Sequence, residues 1–260
     1  PPEPTAPRGP SVRVRLLVAY DGSGFHGFAV QPGQRTVGGA LTEAIAKVAQ
    51  APVELTCAGR TDAGVHAWGQ VVHVNVPAAT DLERLHRSLL KLLAPGIVVR
   101  ELTRAADDFD ARFSARSRTY RYRVHTGPVP DPFSARLAWH VPGPLDRDLL
   151  DLACDPFIGE HDFSAFCRRP KPAPGQEPVS LVRRVLRAGW DDLGEDHLRF
   201  EIEATAFCHQ MVRSIVGTVV AAGQGKVRPG DIRAILASGR RADAAPIAPG
   251  HGLYLWHVAY

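Results

Sequence analysis

Apolar and polar residues alternate over Val12–Ala19 in a way that predicts a β-strand with one buried face. Apolar residues then recur at helical spacing over Thr36–Val48, with Thr36 at the N-cap position. A second helical pattern begins at Asp81 and ends at Pro95–Gly96. The remaining patterns predict strands at Val53–Cys57, Val71–Val76 and Ile97–Leu102. The order β-α-β-β-α-β is that of the split βαβ, or ferredoxin-like, unit.

A similar order of elements recurs in the second half of the chain. The predicted elements are a strand at Thr119–His125, a helix at about Leu145–Cys154, strands at about Leu181–Trp190 and Leu198–Ala206, a helix at about Cys208–Ala222, a short helix near Asp231–Ala237 and a strand at Leu253–Val258. The repeat concerns element order alone, since no sequence identity between the halves is evident. We therefore predict an α+β protein of two ferredoxin-like (βαββαβ) halves, with an N-terminal domain at 11–110 and a C-terminal domain at 111–260.

Composition narrows the class of protein. With 45% hydrophobic and 22% charged residues, the chain of 260 residues has enough apolar surface to fold and is not disordered. No apolar run approaches the roughly 20 residues that span a membrane. The Pro-rich start, Pro1–Pro10, lacks the apolar segment of a secretory signal. We expect a cytoplasmic protein with no membrane segment.

Cysteine and histidine spacing bears on disulfides and metals. The cysteines form no C-x-x-C pattern, so we expect reduced, mostly buried thiols rather than a disulfide framework. They are Cys57, Cys154, Cys167 and Cys208. The 11 histidines include no H-x-x-H or H-E-x-x-H pattern, so we expect no metal site.

Positive charge is concentrated in the second half. Up to Asp110 the chain carries 11 basic and 11 acidic residues, so the net charge of +4 comes from the remainder. Arginine provides 27 of the 31 cations, and five arginines fall within Arg112–Arg123. The planar fork of arginine suits phosphate oxygens, so one interpretation is a polyanionic partner such as nucleic acid. The other interpretation is a solvated, charged surface.

A G-x-G-x-x-G pattern, Gly22–Gly27, follows the first strand and by itself favours a dinucleotide-dependent oxidoreductase. Its context argues against that class, because the pattern must open a helix that meets the pyrophosphate. Here Pro32–Gly33 intervenes and the next helix begins near Thr36. We interpret the glycines as permitting a tight turn near a ligand or another chain segment.

The segment with the most candidate chemistry is Ala58–Ala67, between two predicted strands. Arg60 precedes Asp62 by two positions, and a nearby arginine favours the ionised carboxylate, which can act as nucleophile or general base. Gly59 and Gly64 allow the loop to approach a substrate closely. A loop aspartate more commonly caps a turn, so these residues leave a structural and a catalytic interpretation open.

Nine residues of that segment, G-R-T-D-A-G-V-H-A at Gly59–Ala67, resemble the signature of the TruA-type tRNA pseudouridine synthases. Further blocks match in order along nearly the whole chain: Tyr20–Ser23, Gly69–His73, Phe109–Ala115, Arg118–Tyr122, His161–Phe166, Phe207–Arg213 with Ile215–Gly217, and Ala248–Leu255. The resemblance implies two ferredoxin-like halves that form a mixed sheet with a central basic active-site cleft. The predicted order of elements agrees with that fold.

The resemblance also implies a function. The family converts uridine to pseudouridine in the anticodon stem-loop of tRNA, typically at positions 38, 39 and 40. The N1 glycosidic bond breaks, the uracil turns and it rejoins through C5, so no cofactor is expected. tRNA is then the partner, and a homodimer is expected because the family is dimeric. The alternative is a tRNA-binding or RNA-chaperone protein that keeps the fold without turnover.

Residue roles follow from the same resemblance. Asp62 matches the catalytic carboxylate, and Arg60 matches the residue that enters the space left by the flipped base. Tyr120 matches the tyrosine that stacks on the flipped uracil, and such stacking is worth about 1–3 kcal/mol per base. Arg213 matches a basic residue that pairs with the carboxylate. Leu253 matches an apolar wall of the pocket, although a place in the core explains this leucine equally well.

The chain departs from the family pattern after the first strand. Family members commonly carry a G-W-Q-x-Q-like stretch where this chain has Gly27–Gln31, and a glutamine where it has Gly38. The Pro-rich stretch Arg168–Pro178 is predicted to be a surface insertion.

Overall fold

Contacts between residues divide the chain into two units in the computed structural model, which describes residues 9–169, 177 and 179–260. The first unit comprises the chain up to Arg116 together with Tyr254–Tyr260, and the second comprises Ser117–Leu253. The division therefore differs from the predicted boundary after Asp110. The predicted insertion at 168–178 lies for the most part outside the described residues.

The first unit has the predicted βαββαβ order. Its elements are β1 (Ser11–Tyr20), α1 (Val37–Ala49), β2 (Leu55–Cys57), β3 (His66–Pro77), α2 (Leu82–Leu93) and β4 (Ile97–Arg104). The predicted helix starts are confirmed, because Thr36 Oγ1 accepts a hydrogen bond from Gly39 N (3.1 Å) and Asp81 Oδ1 accepts one from Arg84 N (3.0 Å). Each cap satisfies a backbone donor that the helix itself leaves unpaired.

A mixed sheet forms the framework of this unit. β1 lies between β4 and β3 and is antiparallel to both. The other edge of β3 is shared by β2, which is antiparallel to it, and by β10 (Leu253–Ala259), which is parallel to it. Because β10 pairs with His66 and Ala67 of β3, the end of the chain groups with the first unit rather than completing the second.

The second unit contains β5 (Ser117–His125), β6 (Trp139–His140), α3 (Arg147–Leu152), β7 (Gly159–Asp162), β8 (Val182–Gly194), β9 (His197–Ala204), α4 (Met211–Gly223) and α5 (Ile232–Ser238). β9 lies between β5 and β8, β7 pairs with the other edge of β8, and these strands are antiparallel. β6 is parallel to β5. The predicted α+β class with mixed sheets is therefore confirmed, and β6 and β7 are strands that the sequence analysis did not predict.

Both units bury apolar helix faces. Leu41 and Ile45 of α1, and Leu85 and Leu89 of α2, are fully buried. In the second unit α4 is buried on nearly all sides. A Cβ on Gly223 would lie 2.7 Å from Leu150 Cδ2, so α3 packs closely on the end of α4. Among the helices of the described residues, none is long and apolar enough to cross a membrane.

The cysteine prediction was partly wrong. Cys167 and Cys208 form a disulfide, with Cα atoms 5.9 Å apart. Cys57 and Cys154 are free and buried, as expected. The bonded cysteines are 41 positions apart, and only the fold brings them within the Cα separation of about 4.4–6.8 Å that a disulfide needs.

Candidate active site

The loop between β2 and β3 carries Asp62. This residue is half-buried, and its carbonyl oxygen accepts a hydrogen bond from Val65 N at 3.1 Å, which closes a turn. Gly64 has φ of +74° within the turn, a conformation that glycine adopts with little strain. Arg60 is exposed. The turn therefore presents a partly accessible carboxylate on a backbone with little freedom.

Buried polar side chains of the neighbouring strands hydrogen-bond to this loop. Gln70, on β3, is fully buried; its Nε2 donates to Gly59 O (2.7 Å), and Gly59 N donates to its Oε1 (3.4 Å). Tyr20 Oη and Thr61 Oγ1 are 2.8 Å apart, and Gln70 Nε2 also donates to Tyr20 Oη (3.3 Å). Gly59 is thus tied to β3 through its backbone, and Thr61 is tied to β1 through its side chain. Hydrogen-bonded buried networks of this kind fix a loop in one conformation.

The glycine-rich segment packs against the same loop. Phe28 N donates to Thr61 O (3.0 Å), and Gly27 has φ of +87°. A Cβ on Gly27 would lie 2.8 Å from Thr61 O and 3.3 Å from the carbonyl carbon of Asp62. The interpretation of these glycines as allowing a close approach is confirmed. Gly22–Gly24 forms a short 3₁₀ turn rather than the start of an α-helix.

The two departures from the family pattern are coupled. Phe28 is buried, and its ring centroid lies 6.3 Å from that of Tyr20. Gly38 N donates to Phe28 O at 2.9 Å, and a Cβ on Gly38 would lie only 2.6 Å from the same oxygen. The absence of a side chain at position 38 therefore allows the first turn of α1 to sit directly on Phe28.

Two histidines of β3 accept hydrogen bonds from backbone amides. His66 is 1% exposed, accepts a hydrogen bond from Gly22 N (3.0 Å) at Nδ1 and stacks on Tyr254 with centroids 4.8 Å apart. His73 is also buried and accepts one from Ala111 N (2.9 Å). Both arrangements suit a structural role for these rings.

Tyr120 lies on β5 in the second unit. It is 8% exposed, and its ring meets that of Phe207 edge-to-face, with centroids 5.0 Å apart. This contact fixes the plane of the tyrosine ring, because an edge-to-face pair has a preferred geometry.

Arg213 and Leu253 also belong to the second unit. Arg213, on α4, donates from Nε to Ala248 O (2.8 Å), and its own carbonyl accepts from Ala248 N (3.1 Å). These bonds hold the guanidinium against the segment before β10. Leu253, at the start of β10, is buried. Of the five predicted site residues, the structure therefore groups Arg60 with Asp62 in one loop, and Tyr120, Arg213 and Leu253 in the other unit.

The arginines within Arg112–Arg123 differ in exposure and in their partners. Arg118 is buried and donates to Thr205 O (3.0 Å), and Arg121 pairs with Glu201, which also pairs with Arg187. Arg112, Arg116 and Arg123 are exposed. Only the exposed arginines match the interpretation of a surface that contacts phosphates.

Sequence reasoning did not identify Gln70 or Tyr20 as site residues. The available signal was a glutamine beside the apolar run of β3, since a buried amide must find hydrogen-bond partners. The positions of those partners follow only from strand pairing, that of β2 with β3 for Gly59 and that of β1 with β3 for Tyr20.

Comparison with known proteins supplies the family. Residues 16–118 and 153–260 match the family model described as tRNA pseudouridine synthase. The chain is 45% identical over 253 residues to tRNA pseudouridine synthase A of Frankia casuarinae, covering 96% of this chain and 89% of that protein. It is 39% identical over 251 residues to tRNA pseudouridine synthase A of Bacillus subtilis, covering 96% and 99%.

Among solved structures, a chain of a Cbf5-Nop10-Gar1 complex is similar with a TM-score of 0.33 and 14% identity over 79% of this chain and 44% of that chain, a likeness too weak to bear on function. The family match covers most of the chain and includes the loop that carries Asp62. The chain therefore belongs to the tRNA pseudouridine synthase family, whose members are isomerases that convert uridine to pseudouridine.

Proposed function

We propose that this protein isomerises uridine to pseudouridine in the anticodon stem-loop of tRNA, at positions 38, 39 and 40, with Asp62 as the catalytic carboxylate and without a cofactor. The observation that carries the proposal is the loop around Asp62, which is tied to buried polar side chains and abutted by Gly27. A preorganised carboxylate is what a displacement or proton-transfer step requires.

The reaction needs no oxidant and no group donor. The bond from ribose C1′ to N1 breaks, the uracil turns, and a bond forms from C1′ to C5. C5 then loses its hydrogen as a proton and N1 gains a proton, so atoms and electrons balance within the nucleotide and solvent. Asp62 takes part as nucleophile or as base, two roles that a positioned carboxylate can perform.

The other residues act on the extruded nucleotide. A uridine in a stem must leave the helical stack before its glycosidic bond is accessible, at a cost of a few kcal/mol. We propose that the exposed Arg60 enters the space it leaves and that Tyr120 stacks on the uracil. Arg213 would pair with the carboxylate, and Leu253 would form an apolar wall. The anchoring of Arg213 by Ala248 supports a fixed rather than a mobile cation.

The experiment is tritium release from tRNA that contains 5-tritiated uridine, because C5 loses its hydrogen only when the new bond forms. We expect release by wild type and by Asp108→Asn, an exposed matched control in the first unit, and none by Asp62→Asn. A folded wild type that binds tRNA and releases nothing would instead establish the binding-only alternative.

Two further features belong to the proposal. We expect a homodimer, and a monomer mass by light scattering at micromolar concentration would refute it. Because tRNA is the proposed substrate, we also place the enzyme in the cytoplasm.

A further inference from the structure

The second unit contains a cavity of about 260 Å³ that includes none of the predicted site residues. It lies where the ends of β5 and β6 meet the segment 130–138. Three histidines line it: His125, His140 and His251. Drug-sized ligands occupy pockets of about 300–1,000 Å³. The volume therefore suits a smaller molecule, such as a single heteroaromatic ring system.

A column of stacked imidazoles forms one wall. His125 stacks on His197 with centroids 4.7 Å apart and on His140 with centroids 5.4 Å apart. His125 is 8% exposed, and its Nδ1 has no hydrogen-bond partner among the described residues. A buried polar atom in that state costs about 1–3 kcal/mol. Because Nδ1 is itself inaccessible, the column contributes a flat wall to the cavity rather than a hydrogen-bonding group.

The other walls mix apolar and polar groups. Trp139, Ala135 and Ala138 supply apolar surface, and Ser134 supplies a hydroxyl group. This combination of flat apolar walls with a few hydrogen-bonding groups is typical of sites that bind small planar molecules.

Charge argues against an anion as the ligand. Asp131 lines the cavity, and its carboxylate accepts hydrogen bonds from Phe133 N (2.9 Å) and Ser134 N (3.0 Å). A hydrogen bond from the Ser134 side chain, together with those two backbone bonds, holds the pKa of the Asp131 carboxyl below its ordinary value, so it is negative at neutral pH. A metal ion is also disfavoured, since no group of three or more histidine, cysteine or acidic residues within the described ranges is arranged to hold one.

An exposed aromatic residue stands beside the cavity. Phe133 is 91% exposed, and its amide is bonded to Asp131 on the cavity wall. Exposed aromatic rings in nucleic-acid-binding proteins serve as stacking surfaces for unpaired bases.

We propose that this cavity binds a nucleobase, whose polar edge meets the polar groups of the lining, Asp131 and Ser134 among them, and whose faces lie against aromatic and apolar side chains. The base comes from one of two sources, a free nucleoside or an unpaired nucleotide of the RNA substrate, and the latter source rests on the proposed function. None of the residues that line the cavity belongs to the loop that carries Asp62.

The test uses three full-length proteins. Ala135 is exposed and lines the cavity, so Ala135→Leu fills its mouth without changing the buried core. Ala234, exposed on α5 of the same unit and outside the cavity lining, gives the matched control Ala234→Leu. Binding of adenosine, guanosine, cytidine and uridine is measured by saturation-transfer NMR and tryptophan fluorescence, and binding of tRNA by filter retention.

We expect saturable binding of at least one nucleoside by wild type and Ala234→Leu, and a loss of about tenfold or more in affinity for Ala135→Leu, equivalent to about 1.4 kcal/mol. If Ala135→Leu binds tRNA more weakly and Ala234→Leu does not, the base comes from the RNA. This holds whether or not free nucleosides bind to the wild type. Unchanged tRNA affinity with weakened nucleoside binding identifies a free nucleoside.

Equal nucleoside and tRNA affinities in all three proteins would overturn the proposal, as would an absence of nucleoside binding combined with equal tRNA affinities. Tritium release is recorded for the same proteins. Its absence in wild type would count against the proposed function and would leave the base-binding result unaffected, so the two failures are distinguishable.

Discussion

Gln70 and Gly59 hydrogen-bond to each other in both directions, with the glutamine amide donating to the glycine carbonyl (2.7 Å) and accepting from its N–H (3.4 Å). The two bonds resemble a backbone pair between neighbouring β-strands, except that one partner is a side chain. They join β3 to the loop that carries Asp62. The loop is therefore held at this point by two hydrogen bonds to the sheet beside it.

Replacement of Gln70 by methionine keeps the shape of the side chain and removes its hydrogen bonds. The partly buried backbone groups of Gly59 and the buried Tyr20 Oη then each lose a partner, so we expect the free energy of unfolding to fall by about 2–3 kcal/mol. Loss of loop order should lower kcat for pseudouridine formation about tenfold or more, with tRNA affinity nearly unchanged. Urea denaturation, tritium release and filter binding measure the three quantities.

The matched control is Gln34→Met at an exposed glutamine. It should change the free energy of unfolding by less than about 0.5 kcal/mol. If Gln70→Met weakened tRNA binding as much as it slowed turnover, the positioning role would be wrong.

Gly27→Ala tests the close approach to the loop. Gly27 and Gly33 both have positive φ, +87° and +70°, but only Gly27 has neighbours within 4 Å of its absent Cβ. Both alanine variants should lose about 1–2 kcal/mol of stability from the backbone conformation. Gly27→Ala should lose more and should also slow turnover, because it displaces Thr61 and Asp62. Equal stability and activity of the two variants would contradict this expectation.

Asp21 gives a pH dependence with a defined sign. Partial burial raises the pKa of its carboxyl, but hydrogen bonds from Ser23 and the electrostatic effect of the nearby His66 outweigh burial and hold the pKa below its ordinary value of 3.8. A group whose pKa is lower in the folded state contributes stability above its unfolded pKa and loses it as the pH falls through the folded value. The stability advantage of wild type over Asp21→Asn should therefore be present at neutral pH and shrink below about pH 4. Denaturation curves across that range measure it, and a constant difference would be the contrary result.

The disulfide between Cys167 and Cys208 predicts how many free thiols can be titrated in the denatured protein. Protein denatured without reductant should show two thiols, from Cys57 and Cys154, and four after reduction. With 41 positions between the bonded cysteines, reduction should lower the free energy of unfolding by about 3–4 kcal/mol in the chain-entropy model. Four thiols before reduction would show that the bond does not form in solution.

The two free thiols should resist alkylation while the protein is folded. Burial raises the pKa of Cys57 to about 11 and that of Cys154 to about 12. Because the thiolate is the nucleophile, neither should react appreciably with iodoacetamide at pH 8 within the time that denatured protein reacts fully. Mass spectrometry of the labelled peptides distinguishes the two sites.

Local signals in the sequence were sufficient for the helices. Thr36 and Asp81 cap α1 and α2 as predicted, because a cap depends on residues within one turn. β6 and β7 were missed because they span two and four residues and are held by pairing with distant strands. Strands that short carry no measurable alternation.

Non-local relationships account for the other differences. The disulfide, the position of β10 beside β3 and the bonds from Gln70 to the loop all join residues far apart in sequence. For the candidate site, the motif Gly59–Ala67 predicted that Asp62 lies in a loop between two strands. The predicted family is confirmed by the family match. The individual roles of Asp62, Arg60, Tyr120, Arg213 and Leu253 remain predictions.

The parallel pairing of β10 with His66 and Ala67 has a consequence for synthesis of the protein. These two residues directly follow the loop of Asp62, and their strand partners, Tyr254 and Leu255, are translated only after the whole second unit. At about 5–20 residues per second, the ribosome takes roughly 10–40 s to add them. Throughout that interval the nascent first unit has an incomplete sheet edge beside the loop that carries Asp62. The loop reaches its final support only after the chain between the two strands has been made.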